Sequence, residues 1–322
     1  MKRFISLVIL TSLFLIGCTS ENAQDIQIPN KENLTQKEVS FSHEGKTFKI
    51  IPFYGEYLEY AKYSKENPKE SNKNVYSEKV LSSIKEKSSI NFLLDYPFLP
   101  TNDLERIEEN TNFLLKNQDK INECIKDALI KSAELLPGDD INIFILPIRK
   151  EDQFAVDKMQ GVAGNTFSSN TIFLLIDSTY TEEMLRYTVA HEYHHTVNIL
   201  LNADQAFYSL FDSTISEGKA DSFAEIVYPN IKAPWTEPLP NETFEKVLIE
   251  VKNKIDSTSI NDYNQLFNGD STKGIPLWSN YKIGYEITQN YIKNNPEVPV
   301  PKWTGLLSKD LLRNSDYNEI LN

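Results

Sequence analysis

Between Thr179 and Leu201 apolar and polar positions alternate with a helical period. Leu185, Val189, Tyr193, Val197 and Leu200 form one broad apolar surface, while Met184, Thr188, His191, His195 and Asn198 share another face. Thr179 and Glu182 stand ahead of this run in capping-box spacing, so the pattern predicts a helix over about residues 181–201. Upstream, runs rich in β-branched and aromatic residues predict strands at 46–52, 141–146 and 171–176. The small and polar residues 159–167 precede the last strand and join it through Ser168-Ser169-Asn170 as in a hairpin. Gly161, Ala163 and Gly164 offer little side chain there, which suits an edge strand open to another extended chain, or a flexible loop.

Helical spacing also marks residues 54–63, 76–94 and 102–136. Downstream, Asp212 or Ser213 caps a second helix that runs through Ile215, Ala220, Phe223 and Val227 to Pro229. Further helical stretches fall near 241–256 and 279–293. The expected fold is α+β: a small mixed sheet with an edge strand before the central helix, then a mainly helical C-terminal part, in one domain over residues 46–322.

Composition changes this picture at the N-terminus. The chain of 322 residues is 40% hydrophobic and 25% charged, as in ordinary globular proteins. Lys2-Arg3 and the apolar run Phe4 to Ile16 read as a targeting segment, shorter than the roughly 20 apolar residues of a membrane span. Residues 18–45 are dominated by polar and charged side chains and read as a flexible tether, with His43 a solvated histidine at its end. Leu15-Ile16-Gly17-Cys18 resembles the bacterial lipobox. That resemblance implies a lipoprotein signal peptide over residues 1–17 and a Cys18 that is lipidated and acylated. The result is an extracytoplasmic protein anchored to a membrane by more than one chain. The other reading is a plain secretory peptide with Cys18 an incidental thiol.

The formal net charge of −13, which becomes −15 without Lys2 and Arg3, argues against a nucleic-acid partner. There are two cysteines. With Cys18 committed to lipid no disulfide framework is possible, and Cys124 reads as a small buried hydrophobe.

The chemistry sits on the central helix. His191-Glu192-Tyr193-His194-His195 reads H-E-x-x-H, and two histidines four apart on a helix can reach one metal ion. Glu192 lies where it can handle a proton of metal-bound water. His194 reads as a flanking or core residue. A catalytic zinc ion takes three protein ligands, and no histidine follows His195, so the third is a carboxylate. In Ile215-Ser216-Glu217-Gly218-Lys219-Ala220-Asp221, Glu217 and Asp221 share a helix face. Glu217 suits the ion and Asp221 a hydrogen bond from a ligand histidine. Gly218 allows close approach to the histidine helix; two solvated acids on a surface helix would leave that glycine unexplained.

H-E-x-x-H followed by E-x-x-x-D resembles the gluzincin pattern of thermolysin-like peptidases. HEYHH, then E-G-x-A-D, then the segment Trp278 to Tyr285 resembles more closely the bacterial family of predicted zinc-dependent proteases typified by YjaZ, over roughly residues 46–322. This resemblance implies a zincin-like fold and Zn2+ held by His191, His195 and Glu217. It implies Glu192 as general base and acid when zinc-bound water attacks a peptide bond, and a substrate chain along the edge strand near residues 160–167. The chain departs from thermolysin-like enzymes in having Ser216 where they carry Asn, and in lacking a downstream histidine for the oxyanion. A hydroxyl from Tyr281 or Tyr285 would take that place, although each also fits a core aromatic. Two readings compete with the lipid-anchored peptidase: a non-catalytic binding protein on a zincin-type scaffold, and a zinc amidase acting on cell-wall material.

Overall fold

The sheet is assembled from the apolar runs of the first half of the chain. The structure is a computed structural model that describes residues 34–90, 96–204 and 208–321. The signal-peptide segment and Cys18 lie outside the described residues. The strands are β1 (Val39–His43), β2 (Lys46–Pro52), β3 (Ile141–Pro147), β4 (Val162–Ser168) and β5 (Thr171–Ile176). Their order across the sheet is β1-β2-β3-β5-β4. The three inner strands are parallel, and β1 and β4 run antiparallel at the two edges.

Helices cover both faces. Before β3 come α1 (Tyr54–Glu66), α2 (Asn72–Tyr76), a π-helical turn at Ser77–Leu81, α3 (Ser82–Ser88), α4 (Leu104–Lys116) and α5 (Gln118–Leu135). The short α6 (Gln153–Lys158) precedes β4, and α7 (Glu182–Leu201) follows β5. Then come α8 (Leu210–Val227), α9 (Asn241–Asn253), α10 (Ile260–Asn268), α11 (Ser279–Asn294), α12 (Val300–Thr304) and α13 (Ser308–Arg313). Because side chains alternate along a strand, Phe144, Leu146, Phe173 and Leu175 pack with α1–α3. Ile143, Ile145, Ile172 and Leu174 pack on the other face with α5, α7 and α8. Among the described residues no helix is long and apolar enough to cross a membrane.

The architecture is the expected mixture of a small sheet and a mainly helical C-terminal part. Three local expectations are corrected. Strand β1 falls inside the stretch read as a tether: Phe41 stacks on Phe48 at 5.2 Å, and the Lys37 amide donates to Gln118 Oε1 at 2.9 Å. As an edge strand it is exposed at alternate positions, so its apolar signal is thin. The cap of α7 is Thr181, whose Oγ1 accepts from the Met184 amide at 3.2 Å; Thr179 instead donates to Asp177. The cap of α8 is Ser209, with Asp212 completing the capping box.

Gly218 also has a different neighbour from the expected one. A Cβ there would lie 2.0 Å from the carbonyl of Gly284 on α11, and a Cβ on Gly284 would lie 1.9 Å from Thr214 O. The two glycines let α8 and α11 cross backbone against backbone. The histidine helix is not what Gly218 makes room for.

Lys219 ties this assembly to the turn after α12. Its Nζ is buried and donates to the carbonyls of Thr304 and Leu306. Burial pushes the ammonium from the usual 10.5 down to about 7. Below pH 7 both folded and unfolded chains carry the proton, and the native state bears the full cost of the buried charge. Above pH 7 the unfolded chain binds more protons, so native stability rises with pH by about 1.4 kcal/mol per unit. Urea unfolding of wild type and Lys219→Met between pH 7 and 9 should show this slope only in the wild type. Parallel pH dependences would contradict it.

Candidate metal centre

Helix α7 presents His191 and His195 one turn apart, and α8 presents Glu217 opposite them. Their ligand atoms converge. His191 Nε2 and His195 Nε2 are 3.0 Å apart, and Glu217 Oε2 lies 3.1 and 3.3 Å from them. Zinc bonds of about 2.0–2.1 Å in a tetrahedron set neighbouring ligand atoms roughly 3.3 Å apart. The donor set and its spacing therefore fit a zinc ion, and among the described residues these three form the cluster able to hold a metal.

The surrounding contacts fix the imidazoles. Asp221 is fully buried, and its Oδ1 accepts from His191 Nδ1 at 2.9 Å, Tyr187 Oη at 3.0 Å and Trp235 Nε1 at 2.9 Å. The proton on Nδ1 leaves His191 Nε2 as the ligand atom. His195 Nδ1 meets Ser216 Oγ at 3.3 Å, and that oxygen also accepts from Asn198. Burial alone would lower the His191 imidazole, but Asp221 and then Glu217 hold it well above the ordinary range. Burial would likewise raise Glu217, but His195 and His191 hold it far below. The site thus attracts positive charge at Nε2, where a proton and a metal ion compete. Asp221→Asn keeps the shape and removes the charge behind His191. It should weaken zinc binding about 10–100-fold in competition with a chelating dye, and unchanged affinity would remove Asp221 from this role.

Glu192 lies next to the cluster and is 5% exposed. Thr166 Oγ1 on β4 donates to its Oε2 at 2.6 Å. A cavity of about 620 Å³ opens over these groups, with Gly164 to Phe167 on one wall and Tyr208, Ser259, Ile260 and Tyr263 on another.

The two candidate tyrosines separate. Tyr281 lines the cavity, its ring nearly parallel to His191 at 6.4 Å and 16°. Burial and the Glu217 carboxylate raise its phenol well above the usual range, so the proton stays on. Tyr285 is turned away, and its hydroxyl donates to Glu225. The edge-strand residues separate as well. Gly164 reaches the cavity, whereas Ala163 is buried on the opposite face of the sheet. Gly161 is in a left-handed turn at φ 76° before β4, where a Cβ would lie 2.9 Å from the Tyr180 nitrogen. Among the described residues β4 pairs only with β5, so no further strand lies on its outer side.

His194 points away from the cluster. It stacks on Trp303 at 5.6 Å, and burial holds it well below the ordinary histidine range, hence neutral. Sequence reasoning missed Thr166, Tyr187 and Trp235, which carry no motif. Ser216, noted only as a departure, turns out to touch His195. Residues 121–313 match the family model described as Predicted Zn-dependent protease (DUF2268). No curated protein matches the chain.

Proposed function

The chain belongs to this family of predicted Zn-dependent proteases, and on that premise we propose a zinc metallopeptidase of zincin-like build with His191, His195 and Glu217 holding the ion. The observation that carries the reading is the convergence of their ligand atoms beside the buried carboxylate of Glu192, in a cavity that edge strand β4 also lines. When bound, zinc supplies a Lewis acid and lowers the pKa of water to about 7. The chain's own residues do the rest. Asp221 keeps the Nδ1 proton of His191 and with it the ligand orientation. Glu192 takes a proton from the attacking water and returns it to the leaving amine. Tyr281, which keeps its proton, donates to the oxygen that gains negative charge. The outer edge of β4 orients an extended substrate by strand addition.

On the same footing we propose that residues 1–17 act as a lipoprotein signal peptide, that Cys18 carries the anchor ahead of a tether, and that the peptidase works outside the cytoplasmic membrane. The test is zinc content and hydrolysis of a diverse peptide library by the full chain, with the mass of its N-terminal peptide read in parallel. Zinc binding without cleavage of any peptide would favour a binding protein, and cleavage confined to muropeptides an amidase. An unmodified Cys18 would remove the anchor.

A further inference from the structure

We propose that β4, besides offering an edge to substrate, is the cradle that sets the position of the general base, with Thr166 as the positioning residue and Gly164 as the gap that admits it. The inference rests on the peptidase reading above. Residues 164 and 166 lie two apart on a strand, so they face the same way, toward α7. A Cβ on Gly164 would fall 2.4 Å from both Cγ and Oε1 of Glu192. No larger residue fits while Glu192 keeps this place. Two residues on, the Thr166 hydroxyl lies 2.6 Å from Glu192 Oε2 and 3.1 Å from the Glu192 carbonyl oxygen. A hydroxyl has one proton to donate, and both acceptors belong to the same residue. The shorter contact takes that proton to the carboxylate, and the backbone carbonyl of the same residue stands within reach of the same hydroxyl.

The arrangement has a chemical purpose. With Oε2 engaged by Thr166 and both Cγ and Oε1 lying over Gly164, the carboxylate is held in one orientation. A buried carboxylate without such a donor is costly and would turn toward any other donor or toward water. General-base efficiency depends on the base standing within hydrogen-bond reach of the proton it takes, and a displacement of about 1 Å can cost on the order of 100-fold in rate. A substrate strand pairing with β4 would bind the same element that holds the base, so scissile bond and base share one frame.

The experiment compares Thr166→Val, which keeps the β-branched shape that suits a strand, with Thr166→Ser, which keeps the hydroxyl. Zinc content, kcat and KM on a cleaved peptide, and a crystal structure of each variant are read. Thr166→Val should lower kcat about 10–100-fold with KM within about threefold and zinc content unchanged, and Glu192 should leave its place in the crystal. Thr166→Ser should restore kcat to within about threefold, with Glu192 back over Gly164. A Thr166→Val enzyme with wild-type kcat would overturn the proposal. So would a loss that Thr166→Ser reproduces, which would mark Thr166 as a strand former only. If the wild type cleaves no peptide, the peptidase reading fails. The positioning claim is then decided by the crystal structures alone, and an unmoved Glu192 in Thr166→Val sinks it.

Discussion

Glu192→Gln should keep its zinc and lose peptide hydrolysis by a factor of about 100 to 10,000, the range expected when a positioned proton acceptor is removed. Glutamine fills the same volume and can still accept from Thr166 through its amide oxygen, so the fold and the cavity should survive. It cannot take up a proton at neutral pH. Since Glu192 is absent from the convergent cluster of His191, His195 and Glu217, metal affinity should stay within about twofold of wild type. The measurements are kcat/KM on one cleaved peptide and zinc per chain after dialysis. Retained hydrolysis at full zinc loading would transfer the base to another group. Simultaneous loss of zinc would show that Glu192 serves the ion and not the proton.

The second large effect belongs to a residue with no chemistry. Gly284→Ala would place a Cβ 1.9 Å from Thr214 O, and Gly218→Ala would place one 2.0 Å from the Gly284 carbonyl. In both cases the obstacle is helix backbone, which cannot swing aside as a side chain can, so α8 and α11 must separate. We expect each variant to lose on the order of 3 kcal/mol or more of unfolding free energy, at the upper end for overpacking. Tyr281 lies one turn before Gly284 on α11, so any folded fraction should also show reduced kcat. Gly305→Ala is the control: its nearest neighbour would be Leu201 Cδ1 at 3.5 Å, and it should stay near wild type. Denaturant midpoints for the three variants decide the matter, and a Gly284→Ala protein as stable as the control would refute the close crossing.

What could be read from the sequence follows from how local each signal is. The histidine pair, Glu192 and the E-x-x-x-D pair are set by helical spacing, and the structure brings His191, His195, Glu217 and Asp221 together as that spacing implies. Strands β3 and β5 announce themselves because both faces are buried and nearly every position is apolar. Strand β1 does not, because half of it faces solvent. Tyr281 and Tyr285 lie four apart on one face of α11, so spacing cannot choose between them; one turn of helix decides which meets His191 and which meets Glu225. Gly218 was recognisable as a close-approach residue, but its partner Gly284 lies on a helix much later in the chain. Thr166, Tyr187 and Trp235 owe their places to contacts across 26, 34 and 14 residues of sequence separation. No pattern of residue types along the chain records such contacts.

The glycine crossing also bears on the order in which the protein is made. The metal-holding cluster and its buried aspartate are complete in sequence by Asp221, yet the helix that carries Tyr281 is synthesised later and docks only by fitting Gly284 against Gly218. A growing or clipped chain that stops short of α11 would hold metal ligands without Tyr281, and would leave the α8 backbone at Gly218 uncovered. On the proposed peptidase reading, hydrolytic competence would be reserved for a chain whose α11 has been delivered and packed. A peptidase assembled in this order would be least able to cut neighbouring chains while it is itself still incomplete.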